Sequence, residues 1–234
     1  MILILSLRLC TNTCYGMVLN FRDKEVEAPF VKQTDIDNNL SELAGLSPQQ
    51  QIGHLLWSEN GYKPEVFFSI GYSNNAVLLR YTVTEKYPQA IYKQTNDPVY
   101  KDSCVEFFIS FDDESNYYNL EFNQLGTVLG AYGTGRNNRI ELDIARLECI
   151  ISHNKTEVFR ATKSEYFYWE LALQIPFSVF QFHDIIDLKG RVCKGNFYKC
   201  GDDLPEPHFL SWTSVDHPSP NFHLPQFFGK VRFV

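Results

Sequence analysis

Hydrophobic and polar residues alternate along two neighbouring stretches near the middle of the chain. In residues 104–111 the hydrophobic positions of one face are Val105, Phe107, Ile109 and Phe111. In residues 117–123 the corresponding positions are Tyr118, Leu120 and Phe122. Alternation with a period of two is typical of β-strands that bury one face, and the polar segment 112–116 between them is rich in turn-forming residues. The pattern predicts a β-hairpin within residues 99–123.

The second face of this hairpin is polar. It carries Glu106 on the first strand and Asn119, Glu121 and Asn123 on the second, among aromatic residues. A buried carboxylate needs partners, so a binding role explains Glu106 better than a place in a core, and a salt bridge at a sheet edge is the alternative. Carboxylates and amides beside aromatic rings can hydrogen-bond hydroxyls and pack on flat apolar surface. Sugar binding requires both.

Further strands are indicated along the rest of the chain. They are predicted over residues 25–33, 66–72, 76–87, 124–133, 157–162, 165–176, 191–201, 209–212 and 229–234. A short helix is predicted over residues 35–44 and a helical turn at 176–182, while 51–57 is ambiguous between helix and strand. Residues 134–139 are predicted to form a turn or mobile loop. Many short strands with little helix predict an all-β fold. We expect an antiparallel β-sandwich, jelly-roll or immunoglobulin-like, with one or two short helices.

The chain of 234 residues is interpreted as one domain over 25–234, preceded by an extension or weak signal-like segment at 1–24. The apolar run at the start is interrupted by Arg8 and is too short to span a bilayer. Met17 is an alternative start. We expect a soluble protein and favour the cytoplasm over the periplasm or secretion.

Composition narrows the function classes. Hydrophobic residues make up 44% of the chain, which allows a sizeable core. The net charge of −7, without a cluster of Lys and Arg, disfavours nucleic acids and anionic membranes and suits a neutral ligand such as a glycan. None of the six cysteines forms a CxxC pair, so no zinc motif is predicted. Cys104 and Cys200 are expected to be buried free thiols, although a Cys193–Cys200 bridge is an alternative.

Four segments together resemble one family of sugar-binding domains. They are VYKDSCVEFFISF (99–111), GNFYKCGD (195–202), PHFLSW (207–212) and PNFHLPQFFGKVRF (220–233). In order and spacing they are similar to family 9 carbohydrate-binding modules, a branch of the DOMON-like β-sandwiches. The resemblance extends from about residue 25 to the end of the chain.

The resemblance implies a site in which two aromatic rings grip the terminal sugar and polar side chains bind its hydroxyls. The first aromatic position corresponds to Tyr100, the carboxylate to Glu106 and the second aromatic to Phe222. Family members usually have Trp at the aromatic positions, and Glu121 lies at or near the position of a family arginine. With Asn123, these residues form the predicted site. The alternatives are that Tyr100 anchors the start of a strand and that Phe222 is buried beneath its loop.

No cofactor is expected to be required. The turn with Asp112 and Asp113 is a candidate for structural calcium, which family members can carry, although an ordinary solvated turn is the alternative. His208, His217 and His223 lie in neighbouring loops, but their spacing fixes no metal geometry.

These observations predict non-catalytic recognition of a plant-type or related glycan chain end, in carbohydrate catabolism. The expected partners are an oligosaccharide or polysaccharide and glycoside hydrolases acting on the same glycan, with no nucleic acid and no membrane span. One alternative is a glycoside hydrolase that uses Glu106 and Glu121. The other is a haem or redox DOMON-type domain, against which the only methionines, Met1 and Met17, lie outside the sandwich.

Overall fold

The computed structural model describes residues 24–32, 46–112, 115–161 and 164–234. Two sheets in this part of the chain confirm the predicted β-sandwich. The first sheet runs, in spatial order, β1 (Glu25–Ala28), β14 (Gly229–Phe233), β12 (Val192–Gly201), β6 (Cys104–Ser110), β7 (Tyr117–Asn123), β8 (Val128–Gly135) and β9 (Asn138–Glu141). On it, β13 (His208–Ser211) pairs with β12 and β3 (His54–Leu56) pairs with β13.

The second sheet runs β10 (Ile151–Ala161), β11 (Ser164–Pro176), β5 (Ala76–Glu85), β4 (Glu65–Tyr72) and β2 (Gln50–Gln51). Named strands pair antiparallel, except that β1 pairs parallel with β14. The helical segments of the described ranges are α1 (Ile144–Leu147) and three 3-10 turns, Val99–Lys101, Phe177–Val179 and Pro225–Phe227. None of these is long and apolar enough to cross a membrane. The helix predicted over 35–44 lies outside the described residues.

The core between the sheets contains the apolar face predicted for the central hairpin. All seven hydrophobic residues of that face are buried there: Val105, Phe107, Ile109, Phe111, Tyr118, Leu120 and Phe122. From the opposing sheet, Phe68 stacks on Phe197 of β12 with ring centroids 3.6 Å apart, and Trp169 of β11 is fully buried. Since alternate residues of a strand point to opposite faces, this core forces Glu106 and Glu121 onto the outer face of the first sheet.

Several predicted segments differ from the structure. The strand predicted over 25–33 ends at Ala28, and the strand predicted over 157–162 begins at Ile151. The strand predicted from residue 124 begins at Val128, because the Asn123 side-chain oxygen accepts hydrogen bonds from the backbone N–H groups of Leu125 and Thr127 and holds the chain in a turn. Gly126 adopts the positive φ of +86° that this turn needs. Residues 134–139, predicted as a turn or mobile loop, form a turn at 136–137 flanked by the ends of β8 and β9, which pair as a hairpin.

A buried ion pair joins the two sheets near one end of the sandwich. Lys199 Nζ of β12 lies 3.1 Å from Glu85 Oε2 of β5, and both side chains are almost completely buried. Trp169 Nε1 donates a 2.7 Å hydrogen bond to the other Glu85 oxygen. Lys199 Nζ also lies 2.8 Å from His208 Nε2. Burial and the neighbouring Lys199 lower the pKa of His208 to about 2, so the imidazole stays neutral.

Glu85→Gln should strongly destabilise the fold, because it leaves the Lys199 charge buried without its counter-ion. We expect a loss of about 3–5 kcal/mol in the free energy of unfolding, measured by urea denaturation. The matched control is Glu157→Gln, which breaks the exposed Lys155–Glu157 pair and should change stability by less than about 0.5 kcal/mol. Equal effects of the two substitutions would contradict a structural role for the buried pair.

Candidate functional site

A cavity of about 190 Å³ opens on the outer face of the first sheet. Its floor is formed by β6, β7 and β12, which contribute Glu106, Glu121 and Cys200. A second hydrophobic cluster on the same face, which includes Phe108, Tyr198 and Phe228, fills the space beside it. The polar groups of the floor are therefore enclosed by packed aromatic residues rather than spread over open surface.

Glu106 and Glu121 lie directly opposite each other on β6 and β7, and each is only 3% exposed. Glu106 Oε1 accepts a hydrogen bond from the Cys200 thiol at 3.1 Å. Glu121 Oε1 accepts one from Asn119 Nδ2 at 2.9 Å and lies 3.5 Å from a guanidinium nitrogen of Arg139. The second carboxylate oxygen of Glu121 is buried without a hydrogen-bond partner.

Burial raises the pKa of all three carboxyl groups that line the cavity. It raises the pKa of Glu121 to about 7 against the opposing effect of Arg139, and that of Asp202 to about 6. The pKa of Glu106 is raised well above its ordinary value, first by burial and then by the charge of Glu121. The raised pKa values favour the protonated form, so the carboxyl groups of the cavity hold their protons more tightly than exposed carboxyl groups do.

Positive charge reaches the cavity from the β8–β9 hairpin. Arg136 and Arg139 both line it. Arg139 Nη1 lies 3.2 Å from His223 Nε2, and His223 Nδ1 lies 2.9 Å from the Tyr117 hydroxyl. Burial and Arg139 lower the pKa of His223 to about 3, so this ring is neutral. The cavity thus presents guanidinium donors, a neutral imidazole and carboxyl groups within a small volume.

Four aromatic side chains form the apolar part of the lining: Trp57, Tyr100, Phe209 and Phe222. Tyr100 lies on the 3-10 turn Val99–Lys101, and its carbonyl oxygen accepts a hydrogen bond from Asp202 N at 3.1 Å. Phe222 stacks on Tyr198 with ring centroids 4.2 Å apart. Trp57 has a positive φ of 45°, which is rare for a bulky residue, and its Nε1 donates to the His217 carbonyl at 2.6 Å. Strain of this kind is often retained at binding sites.

Four of the five predicted site residues come together here: Tyr100, Glu106, Glu121 and Phe222 all line the cavity. Asn123 does not line it. Its side-chain nitrogen donates to Asp102 Oδ2 and to the Tyr92 carbonyl, and its oxygen accepts from the turn that precedes β8. The position of Asn123 therefore gives no support to its predicted role in ligand binding. Its hydrogen bonds indicate that it stabilises the neighbouring loops.

Several residues of the cavity were not predicted from the sequence. Arg136 and Arg139 fall in the segment expected to be a loop, and Trp57 ends the stretch that was ambiguous between helix and strand. Asp202, which directly follows β12, was not among the predicted site residues. The sequence did contain one indication of these arginines. Family members have arginine at or near the position of Glu121, and a buried glutamate there requires a cation from elsewhere in the fold.

The histidine and aspartate residues that were considered as metal ligands lie in different parts of the structure. His208 lies against Lys199, His217 is half-buried beside Ser219, and His223 lines the cavity. Asp112 contacts His183 at 2.7 Å, and Asp113 lies outside the described residues, so structural calcium stays a prediction. Within the described ranges, one group of three metal-ligating side chains has its ligand atoms within 4.8 Å of one another: Cys104, Glu106 and Cys200.

The sequence matches the family described as carbohydrate-binding family 9 over residues 39–233. The chain belongs to carbohydrate-binding family 9. The match confirms the resemblance found in the sequence and the prediction of a carbohydrate-binding module. None of the functionally curated proteins compared with the chain matches it.

Solved structures of similar fold include a candidate carbohydrate-binding protein from Bacteroides uniformis ATCC 8492. It is 33% identical, with a TM-score of 0.78, over 90% of this chain and 99% of that protein. Two structures of a family 9 module from Caldicellulosiruptor kristjanssonii, one with glucose and one with cellotriose, are 12% and 13% identical with TM-scores of 0.47 and 0.46. They match over 90% of this chain and over 96% and 93% of theirs, too distantly to bear on its ligand.

The raised pKa of Glu121 predicts a pH-dependent stability. The folded state binds this proton more tightly than the unfolded chain does, so the stabilisation is complete below about pH 4.5 and is lost as pH rises through about 7. Glu121→Gln abolishes this titration. From about pH 4.5 to 8 the free energy of unfolding of the wild type should therefore fall, relative to the variant, by up to about 3 kcal/mol. Parallel pH profiles in urea denaturation would contradict the buried titration.

Proposed function

We propose that the cavity binds the terminal sugar of a glycan chain without cleaving it. The observation that carries this proposal is the unpartnered Glu121 oxygen in a polar cavity walled by aromatic rings. A buried acceptor without a partner costs about 1–3 kcal/mol, and a donor from a bound ligand removes that cost. A sugar hydroxyl supplies such a donor.

The other polar groups of the cavity suit hydroxyls as well. A hydroxyl both donates and accepts, so it can donate to Glu121 or Asp202 and accept from Arg136, Arg139 or the amide of Asn221, all of which line the cavity. A pyranose has two faces rich in C–H groups and a polar rim. Its faces fit against Trp57, Tyr100 or Phe222, while its rim meets the floor.

The volume of the cavity supports recognition of a chain end. Pockets that enclose drug-sized ligands usually measure about 300–1,000 Å³, and this cavity of about 190 Å³ is smaller. It suits one sugar ring, with the rest of the chain leaving through the opening. We propose, from the family resemblance rather than from the volume, that the physiological ligand is a plant-type or related glycan on which glycoside hydrolases act.

A catalytic role is the second candidate, because Glu106 and Glu121 face each other in the cavity with raised pKa values. Hydrolysis needs one protonated and one ionised carboxyl group on either side of the glycosidic bond. We favour binding, because both carboxyl groups lie on the floor of the cavity beneath the aromatic walls. Release of reducing sugar by the wild type, abolished in Glu106→Gln, would establish the catalytic alternative.

The test of binding is calorimetry with glucose-, xylose- and galactose-based mono- and oligosaccharides. We expect saturable binding of at least one ligand, weakened about tenfold or more by Tyr100→Ala, since tenfold corresponds to about 1.4 kcal/mol of lost contact. The matched control is Tyr87→Ala, because Tyr87 is 45% exposed and does not line the cavity. No binding by any sugar, or equal affinity in both variants, would contradict the proposal.

A further inference from the structure

Three side chains that can ligate a metal ion, two thiols and one carboxyl group, meet at the floor of the cavity. Cys104 and Glu106 are two residues apart on β6 and therefore share its outer face. Cys200 lies directly opposite Cys104 on β12. Two neighbouring strands thus deliver three ligands to one point without any CxxC motif.

The spacing of the ligand atoms is close to what a single ion needs. The two sulfur atoms and a carboxylate oxygen all lie within 4.8 Å of one another, and Cys200 Sγ is 3.1 Å from Glu106 Oε1. Zn²⁺ binds sulfur at about 2.3 Å and carboxylate oxygen at about 2.0–2.2 Å in tetrahedral geometry, which places ligand atoms about 3.5–3.8 Å apart. Rotation of the side chains that shifts the ligand atoms by about 1 Å is enough to reach that arrangement.

The surroundings of Glu106 offer little compensation for a negative charge on its carboxyl group. Its carboxylate is 3% exposed and accepts a hydrogen bond from the Cys200 thiol, but a thiol is a weak donor. Arg139 is paired with Glu121, and Lys199 points from the other face of β12 toward Glu85. A cation held between Glu106 and the two sulfur atoms would supply the compensation that the thiol does not.

We propose that Cys104, Glu106 and Cys200 form a binding site for one thiophilic divalent cation of the zinc type, with its fourth position open to the cavity. Thiolates select zinc, cobalt and similar ions, whereas calcium and magnesium require oxygen ligands. Glu106 and Cys200 line the cavity, so the ion enters from there. Binding deprotonates both thiols and the carboxyl group of Glu106 wherever it carries a proton, and it releases these protons to solvent. The fourth ligand is water or an oxygen atom of a molecule in the cavity.

The probe is Co²⁺, added to the full chain after metal removal and with the thiols kept reduced by a phosphine. The background is Cys10→Ser/Cys14→Ser, which removes the two cysteines outside the described residues. We expect thiolate-to-cobalt charge-transfer bands and tetrahedral d–d bands that saturate at one equivalent and disappear when Zn²⁺ is added. Proton release on binding, measured with an indicator dye, should rise in step with the bands.

Three variants and one control locate the site. Cys104→Ser and Cys200→Ser should each weaken Co²⁺ binding at least tenfold and reduce the charge-transfer intensity. Glu106→Gln keeps both thiols and should weaken binding at least tenfold while the charge-transfer bands persist. The control is Cys193→Ser, because Cys193 is also buried on β12 but belongs to the core between the sheets. It should bind Co²⁺ like the background protein.

The proposal is overturned if the folded background protein, with its thiols reduced, shows no charge-transfer band. It is also overturned if the band is unchanged in Cys104→Ser and Cys200→Ser. Sugar calorimetry on the metal-free protein is independent of both results, so failure of the metal site is distinguishable from failure of sugar binding. Circular dichroism of each variant confirms that a lost band does not reflect unfolding.

Discussion

The register of the central hairpin is the constraint on which the site depends. The inner faces of β6 and β7 contribute six hydrophobic residues to the core between the sheets. A slip of one residue would turn all of them to the outside. This apolar face therefore fixes which residues point outward, and it places Glu106 directly opposite Glu121. The carboxyl pair is held by hydrophobic burial on the other side of the same two strands.

Burying two facing carboxyl groups is unfavourable, and the surrounding residues only partly offset the cost. Asn119 and Arg139 partner one oxygen of Glu121, while the other oxygen has no partner. Glu106 is bound by a thiol. In the buried Glu85–Lys199 pair, Lys199 Nζ lies 3.1 Å from Glu85 Oε2, which also has no hydrogen-bond partner, and Trp169 donates a hydrogen bond to the other oxygen. The incomplete pairing of Glu121 and Glu106 at the cavity floor is consistent with a binding site, because a sugar hydroxyl or a metal ion can supply the missing partner.

The sequence predicted those parts of the molecule that depend on local periodicity. Alternation gave the central hairpin, its two faces and most of the other strands, and the family resemblance gave Tyr100, Glu106 and Phe222 as cavity residues. The arginines were missed because Arg136 and Arg139 reach the cavity through pairing of β8 with β9, a contact that leaves no periodic signal in so short a glycine-rich segment. Trp57 was missed because β3 has three residues, too few to show alternation. Asn123 was predicted to bind ligand because it lies on the polar face of its strand. It is the last residue of that strand, however, and its side chain hydrogen-bonds the turn that follows.

The measurement that tests the central claim most directly is a crystal structure with the tightest-binding sugar from the calorimetric panel. The claim is that the outer face of β6 and β7 is the ligand site. It predicts a terminal sugar ring in the cavity, with a hydroxyl within hydrogen-bond distance of the unpartnered Glu121 oxygen and a ring face against at least one of Trp57, Tyr100 and Phe222. A sugar bound elsewhere on the sandwich, with this cavity filled only by water, would contradict it.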